Sequence, residues 1–287
     1  MHKAWKDDPA VALAALPGTK LADIDPASTP GFKGDKKLGD KATGQQVLDA
    51  GRAQLTELQQ RLYARGVEGD ERRVLLILQG MDTSGKDGTV RHVVGSTHPE
   101  GVALTSFKAP TPWERRHDFL WRVSRRVPKR GMLGVFNRSH YEDVLIQRVH
   151  HLAPPAEIER RYGAINEFEN GLAERGITMV KVMLHISPEE QKERLQERLD
   201  RPDRYWKYNP ADVTERGFWN EYQEAYELAI TRCSIDAAPW YVVPADKKWY
   251  ARIAVQRLLV GALESLDLSW PPPSFDVQAE KKRLKQS

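Results

Sequence analysis

Five apolar runs, separated by longer stretches with helical periodicity, constrain the fold of this chain more than any other feature. The runs lie at 74–78, 102–107, 132–136, 178–186 and 240–245. The first run, VLLIL, shows no polar alternation, which is typical of a strand buried on both faces. Helical segments are predicted at 46–65, 86–97, 113–127, 155–175, 189–200, 214–232 and 248–266. Strands that alternate with helices predict right-handed crossovers and an α/β fold with a parallel five-stranded sheet flanked by helices.

Composition restricts the compartment and the partners. No apolar segment is long enough to span a bilayer, and the short run at 10–16 follows KDDP, which does not resemble a signal peptide. The single cysteine, Cys233, excludes an internal disulfide, fits a reducing cytoplasm and is predicted to be a small core residue. The net charge is +4 with clustered basic residues, which favours an anionic partner.

A glycine-rich loop follows the first strand and has the spacing of a phosphate-binding loop. In such a loop the glycines permit a tight turn, and the backbone N–H groups and the next helix N-terminus point at phosphate oxygens. The alternative is a strand-to-helix turn of similar composition that binds no ligand. The residues predicted to bind phosphate here are Gly80, Met81, Thr83, Ser84, Gly85, Lys86, Gly88, Thr89 and Arg91.

Two carboxylates in or beside this loop need an explanation. The Ser or Thr that usually follows the lysine and holds Mg²⁺ is replaced by Asp87. Asp82 is therefore the predicted metal ligand, because a hard dication takes oxygen ligands and a carboxylate without a cation would repel phosphate. For Asp87 we favour a simpler interpretation, in which it complements the dipole of the following helix. Asp82 and Lys86 are predicted to be catalytic.

The third apolar run ends in a second group of polar residues, Asn137, Arg138 and Glu142. Many phosphoryl-transfer sites carry an acidic residue at this strand end that orients Mg²⁺. Asn137 offers the metal only a carbonyl oxygen or a water-mediated contact. Arg138 can bridge two phosphates and is predicted to be catalytic. Glu142 is predicted as a metal or acceptor-site carboxylate, with a plain surface charge as the alternative.

Six segments, in this order, resemble the second polyphosphate kinase family. They are GMDTSGKDG, FKAPT, HDFLWR, FNRSHYEDV, DRYWKYNPADVTERGFWNEYQEAYE and APWYVVPADKKWYAR. The resemblance runs from about residue 30 to residue 270, and FNRSHYEDV is similar to the subgroup that phosphorylates both AMP and ADP. The aspartate common in the family at the end of the third strand is Asn137 here, which shifts the expected metal contacts toward Asp82 and Glu142.

The resemblance implies a P-loop kinase core similar to thymidylate kinase, with a helical lid at about 188–217. The remaining divisions are an N-terminal arm at 1–45, a phosphotransferase domain at 46–270 and a C-terminal tail at 271–287. It further implies polyphosphate as donor, AMP or ADP as acceptor, Mg²⁺ or Mn²⁺ as cofactor, direct transfer without a phosphoenzyme, and a homodimer or homotetramer. His140, His150 and His151 are then structural or surface residues.

A polyphosphate chain requires an extended track of positive charge. Arg204 and Lys207, in an aromatic loop, are predicted to bind it. Arg194 and Arg198 share one helix face, and a salt-bridged, solvated helix explains them equally well because glutamates interleave with them. Further cations that could extend the track are Lys33, Lys36, Lys37, Arg115, Arg116, Lys247 and Lys248.

The predicted nucleotide-binding residues are Lys108, Arg122, Asn137, Arg138 and Glu142. Trp113, Phe119 or Trp121 could stack on the base, although aromatic residues on an amphipathic helix more often belong to the core.

Two other functions are compatible with parts of this pattern. One is an ATP-dependent nucleoside or nucleotide monophosphate kinase, against which the long lid and the altered loop argue. The other is a non-catalytic polyanion-binding protein, which would bind without metal-dependent turnover. We expect neither a nucleic acid nor a membrane as partner.

Overall fold

The computed structural model describes residues 4–287, and its centre is a sheet of five parallel strands. The strands are β1 (Arg73–Gln79), β2 (Val102–Ser106), β3 (Leu133–Asn137), β4 (Ile177–His185) and β5 (Trp240–Pro244). Their spatial order is β2-β3-β1-β4-β5, with β1 in the middle. The predicted α/β fold is confirmed, and each strand lies at its predicted position within a few residues.

The central strand β1 explains why its sequence is continuously apolar. Val74 pairs with Leu133 of β3 on one side and with Thr178 of β4 on the other. The side chains from Val74 to Leu78 have no exposed surface. Full burial of side chains of this size stabilises a fold by about 1.5–3 kcal/mol each. This strand therefore anchors the loop that follows it.

Helices cover both faces of the sheet. In residues 4–287 the α-helices are α1 (Pro9–Ala12), α2 (Asp40–Val67), α3 (Lys86–His92), α4 (Trp121–Ser124), α5 (Ile146–Val149), α6 (Pro155–Glu174), α7 (Pro188–Leu199), α8 (Pro210–Glu215), α9 (Trp219–Cys233), α10 (Lys248–Glu264) and α11 (Val277–Leu284). The predicted helices at 155–175, 189–200 and 248–266 match α6, α7 and α10. The predicted lid contains α7, a 3-10 segment and α8. None of the described helices is long and apolar enough to cross a membrane.

Three predicted helices differ from the structure. The segment predicted at 113–127 is not continuous, because His117 is extended and ends the first turn, and Asp118 then accepts a hydrogen bond from the N–H of Leu120 at 2.9 Å just before α4. Only one 3-10 turn and the short α4 form there. The segment predicted at 214–232 is divided between α8 and α9 by a 3-10 turn, and that predicted at 86–97 ends as α3 at His92, with another 3-10 turn after it.

The N-terminal arm packs along the edge strand β5. The N–H of Ala15 donates to the carbonyl of Trp240 at 2.8 Å, and the N–H of Val242 donates to the carbonyl of Leu13 at 2.9 Å. Leu13 and Leu21 are buried against the core. The arm therefore occupies hydrogen-bonding groups that an edge strand would otherwise expose. The helix predicted at 46–65 is longer than expected and begins as α2 at Asp40, inside the segment predicted as arm.

Candidate active site

A cavity of about 690 Å³ lies at the carboxyl ends of the central strands, where ligands bind in open parallel sheets. Its walls come from the loop after β1, the ends of β2 and β3, and the helices α3, α7 and α10. Strand register explains the convergence. Leu78 of β1 pairs with Asn137 of β3, so the loop after β1 begins beside the polar residues that end β3.

The loop from Gly80 to Lys86 has a conformation that its glycines make possible. Gly80 has φ +144°, and a Cβ atom there would lie 2.6 Å from the carbonyl oxygen of Leu184. Gly85 has φ +107° and directly precedes α3. The turn therefore brings the N-terminus of α3 to the cavity, which is the arrangement that binds phosphate.

Lys86 lies beneath the loop, with 8% of its surface exposed. Its Nζ donates to the carbonyl of Gly80 at 2.6 Å and to that of Met81 at 3.1 Å. Burial, together with the nearby Arg138 guanidinium, lowers the pKa of Lys86 to about 8, and the carboxylate of Asp82 opposes this shift. The ammonium is thus held close to the loop in a poorly solvated position.

Arg138 joins the two predicted metal-binding carboxylates. One guanidinium nitrogen lies 2.5 Å from Oδ1 of Asp82, and another lies 3.2 Å from Oε2 of Glu142. Burial opposes the charge on Arg138, but Glu142 and Asp82 outweigh it and raise the pKa of Arg138. The three side chains, two of which line the cavity wall, form one charged group at the ends of β1 and β3.

Asn137 and Asp87 are hydrogen-bonded neighbours in the cavity lining. Nδ2 of Asn137 donates to Oδ1 of Asp87 at 2.7 Å. Asp87 lies in the first turn of α3, as its interpretation as a dipole-complementing residue requires. The side-chain nitrogen of Asn137 is engaged by this contact, which leaves its side-chain oxygen, Oδ1, as the group available to a cation.

A divalent cation fits this set of oxygen donors only together with phosphate. Within residues 4–287, no group of three or more His, Cys, Asp and Glu side chains could enclose a metal ion. Mg²⁺ in phosphoryl-transfer sites is commonly held by one or two carboxylates and by substrate phosphates. Asp82, with the Asn137 carbonyl oxygen and Glu142 nearby, provides that number of donors.

A group of further cations also lines the cavity. It includes three residues predicted from sequence, Arg91, Arg204 and Lys207, and also Lys248 and Arg252. Arg252 was missed, although its i, i+4 spacing from Lys248 on α10 signals a shared basic face. Burial, and the cations of Arg194 and Arg91, lower the pKa of Arg252, which shows how closely positive charge is concentrated here.

Arg194 and Arg198 have structural contacts. The Nε of Arg194 donates to Glu190 at 2.6 Å, as the salt-bridge interpretation predicts, but Arg194 is buried and not solvated as that interpretation also required. Arg198 donates to the carbonyl of Lys207 at 2.8 Å and contacts Asp212 at 3.2 Å. Both side chains touch the cavity, but their donors are largely directed at protein groups.

Comparisons with known proteins show which family the chain belongs to. The family model described as "Polyphosphate kinase 2 (PPK2)" matches residues 38–269. The chain belongs to the polyphosphate kinase 2 family. An AMP/ADP-polyphosphate phosphotransferase of Meiothermus ruber is 46% identical over 254 residues, covering 88% of this chain and 92% of the relative.

Two further relatives extend the comparison. An ADP-polyphosphate phosphotransferase of Rhodopseudomonas palustris is 42% identical over 244 residues, covering 81% of this chain and 82% of the relative. The crystal structure of polyphosphate kinase 2 from Arthrobacter aurescens TC1 superposes with a TM-score of 0.95 at 54% identity, covering 99% of this chain and 98% of that chain. The P-loop kinase-like fold and the family predicted from sequence are both confirmed.

Not every predicted site residue of this polyphosphate kinase 2 fold faces the cavity. Lys108 lines it, whereas Arg122 does not. Arg122 is 9% exposed, donates to the carbonyl of Lys108 at 2.7 Å, and lies over the ring of Phe107. Arg122 was predicted to bind the nucleotide, and this prediction is corrected. Its guanidinium instead holds the backbone of the loop after β2. Gly80, Met81 and Glu142 likewise adjoin the cavity without lining it.

Several secondary expectations can also be located. Of the cations proposed to extend the track, Lys248 lines the cavity, whereas Lys33, Lys36, Lys37, Arg115, Arg116 and Lys247 do not. Trp113, Phe119 and Trp121 lie outside it as well. His140 is fully buried against Glu169, and His150 contacts Glu215 at 2.9 Å. Cys233 is a core residue, as predicted, and burial raises the pKa of its thiol to about 12.

Proposed function

We propose that this protein transfers the terminal phosphoryl group of inorganic polyphosphate to AMP and ADP, forming ADP and ATP. The observation that carries the proposal is that Asp82, Lys86 and Arg138 line the same cavity as a group of further cations. A polyanionic donor chain needs cations beyond the phosphate-binding loop, and Arg204, Lys207, Lys248 and Arg252 supply them in this cavity. The relative from Meiothermus ruber, named for both AMP and ADP, supports this choice of acceptors.

The proposed mechanism relies on positioning and charge neutralisation. The loop N–H groups and Lys86 bind the transferring phosphoryl group, and Arg138 bridges the donor and acceptor phosphates. Arg91, Arg204, Lys207, Lys248 and Arg252 hold the remaining donor chain. The attacking atom is a phosphate oxygen that is ionised near neutral pH, so transfer needs no strong general base.

We propose Mg²⁺ or Mn²⁺ as the cofactor, held by Asp82 with the carbonyl oxygen of Asn137 and the carboxylate of Glu142 as further donors. When bound, the cation neutralises charge that develops on the phosphate oxygens. Asp82 and Glu142 both form salt bridges to Arg138. Their proposed role is to orient the cation and the acceptor together.

Lys108 is proposed to hold the acceptor phosphate, because it lies at the end of β2 on the wall beside Asn137. The family resemblance further supports assembly as a homodimer or homotetramer. The lone buried cysteine and the adenine nucleotide acceptors support a cytoplasmic location.

The decisive experiment is product analysis with purified protein, Mg²⁺ and AMP or ADP, using polyphosphate as donor in one reaction and ATP in another. We expect ADP and ATP from AMP with polyphosphate, and loss of both on chelation of the metal. Phosphorylation with ATP alone would identify an ordinary nucleotide kinase. Tight polyphosphate binding without turnover from either donor would identify a binding protein.

A further inference from the structure

The helix α7 contacts the phosphate-binding loop through two side chains that are three residues apart. Nε2 of Gln191 donates to the carbonyl of Asp82 at 3.1 Å, and Nη1 of Arg194 donates to the carbonyl of Thr83 at 2.9 Å. Residues at i and i+3 share one helix face. Gln191 is 2% exposed and Arg194 5% exposed, so both contacts are shielded from water. One face of α7 therefore donates hydrogen bonds to two successive peptide groups of the loop.

This segment of the loop is conformationally strained. Thr83 has φ +64°, in the left-handed region that a β-branched residue rarely enters. Such a conformation persists only where the surroundings hold it. The Thr83 hydroxyl is buried and finds no hydrogen-bond partner within residues 4–287, so its side chain does not hold the turn by itself. The hydrogen bonds from α7 to the carbonyls of Asp82 and Thr83 hold this turn, together with the one that the N–H of Ser84 donates to the carbonyl of Met81 at 3.1 Å.

Both donor side chains are themselves fixed. Arg194 donates to Glu190 at 2.6 Å and, with another nitrogen, to the carbonyl of Ala245 at 2.6 Å. The Oε1 atom of Gln191 accepts a hydrogen bond from Arg216 at 2.8 Å. Arg216 directly follows α8, so the far end of the predicted lid is linked through Gln191 to the loop. A movement of the lid segment that displaces Arg216 would therefore also displace Gln191 and the backbone of Asp82.

We infer that Gln191 and Arg194 are positioning residues that hold the peptide groups after Asp82 and Thr83 in the conformation needed for phosphoryl transfer. In a trans peptide the C=O and N–H point in opposite directions. Capture of the Asp82 carbonyl therefore turns the N–H of Thr83 away from Gln191 and fixes the backbone from which the Asp82 carboxylate extends. This inference deepens the proposed function and rests on it.

The first test replaces Gln191 with Leu, which keeps the volume and removes the donor. We expect kcat with polyphosphate and AMP to fall by about 10- to 100-fold with KM changed by less than about threefold, since a misplacement of about 1 Å can cost about 100-fold. Gln196→Leu is the matched control, because Gln196 is on α7, is exposed, and its side chain donates to Asp200 at 2.8 Å and not to the loop. A Gln191→Leu variant as active as the Gln196→Leu control would overturn the inference.

The second test asks whether loop strain is the reason for the loss. Glycine adopts the left-handed conformation without strain. We expect Thr83→Gly to raise kcat in the Gln191→Leu background by at least about fivefold more than it changes kcat in the wild-type background, which is a coupling between the two positions. A merely structural role of Gln191 predicts equal ratios in the two backgrounds, and equal ratios would contradict the inference.

A third readout does not depend on activity. Hydrogen exchange of the amides in residues 81–86, measured on the protein without substrates, should be faster in Gln191→Leu and unchanged in Gln196→Leu. If Gln191→Leu does not fold, Arg194→Lys, which keeps the charge, takes its place in every comparison. Absence of any polyphosphate turnover by the wild type would refute the proposed function alone, whereas unchanged exchange in a folded variant refutes the positioning role.

Discussion

Lys86 and Asp82 illustrate how the same loop uses opposite charges. Lys86 is buried among backbone carbonyls. Its pKa is lowered to about 8, so its amine loses its charge within the pH range in which enzymes are commonly assayed. Asp82 lies at the cavity wall, where Arg138 neutralises it. Burial of Lys86 is what makes its charge depend on pH in this range.

The first residue-scale prediction concerns pH. Because the pKa of Lys86 is lowered to about 8, its amine is charged below that pH and neutral above it. We expect polyphosphate affinity at constant ionic strength to weaken above about pH 8, by up to about tenfold per pH unit. The Lys86→Arg variant should not show this loss, because a guanidinium stays charged. Titrations of polyphosphate binding between about pH 6.5 and 9.5 provide the measurement, and parallel curves for the two proteins would speak against it.

The second residue-scale prediction concerns the metal. Asp82→Asn should lower kcat by at least about 100-fold, because even residues that only support metal ligands contribute about 10- to 100-fold. The melting temperature should change little, since Asp82 lies at the cavity wall and not in the core.

Asp49→Asn is the control for this change, since Asp49 is exposed on α2 and its salt bridge is to Arg52. Turnover by Asp82→Asn equal to that of the control would rule out the assigned role. Activity at a range of Mg²⁺ concentrations separates weaker metal binding from slower transfer.

The sequence was sufficient to predict which residues lie at the cavity where they follow the end of a strand along the chain. Asp82, Lys86 and Arg138 directly follow parallel strands, and such strand ends meet at one edge of a sheet. Arg122, Gln191 and Arg252 could not be placed in the same way. Whether their side chains face a cavity, a loop backbone or the core depends on how helices rotate against the sheet, and helical periodicity does not give that rotation.

At the scale of elements, a buried ion pair joins β4 to α6. Nζ of Lys181 lies 2.6 Å from Oε2 of Glu169 and donates to the hydroxyl of Tyr141 at 3.0 Å. Glu169 also contacts Nε2 of His140 at 3.1 Å. Burial opposes its charge, but Lys181 and His140 hold the pKa of Glu169 below its usual range. Tyr141 and His140 belong to the segment that follows Arg138. The Lys181–Glu169 ion pair therefore holds the segment that carries Arg138 against the core.

The element-scale prediction tests this pair. Lys181→Met should lower the free energy of unfolding by about 3–5 kcal/mol, because it leaves the Glu169 charge buried without its partner. Lys20→Met, which removes an ion pair to Glu227 whose lysine is 65% exposed, should cost less than about 1 kcal/mol. Urea unfolding of both variants gives the comparison. Similar losses in both would mean that Glu169 is relieved by protonation or by water.

The interrupted helix at 113–127 shows the limit of prediction for elements. Its apolar spacing is helical, but His117 is extended and the carboxylate of Asp118 accepts a hydrogen bond from the N–H of Leu120, so two short helical pieces form instead of one helix. Periodicity describes which side chains can be buried together, and it does not weigh one such local contact against a turn of helix.

At the scale of the whole molecule, the two chain ends have different roles. The arm covers β5 through backbone hydrogen bonds and buries Leu13, whereas the C-terminal helix α11 buries no residue. Sequence predicted both as peripheral segments, because composition alone does not distinguish a strand-covering arm from a solvated tail.

The whole-molecule prediction compares two truncations. A chain that starts at residue 18 should melt at least about 4 °C lower than the full chain, since the loss of one buried leucine alone exceeds about 1 kcal/mol. It should also self-associate through the uncovered edge of β5. A chain that ends at residue 270 should keep the melting temperature of the full protein. Thermal unfolding and light scattering give both results, and equal melting temperatures for the two truncations would contradict the assigned role of the arm.

The position of the arm has a consequence for biosynthesis. Leu13 is translated about 230 residues before its hydrogen-bond partner Val242. At about 5–20 residues per second, the intervening stretch of about 230 residues takes roughly 10–45 seconds to translate. During that time Leu13 and Leu21 have no β5 to cover and are available to chaperones or to neighbouring nascent chains. The last strand to leave the ribosome is therefore the one that allows the first segment to fold.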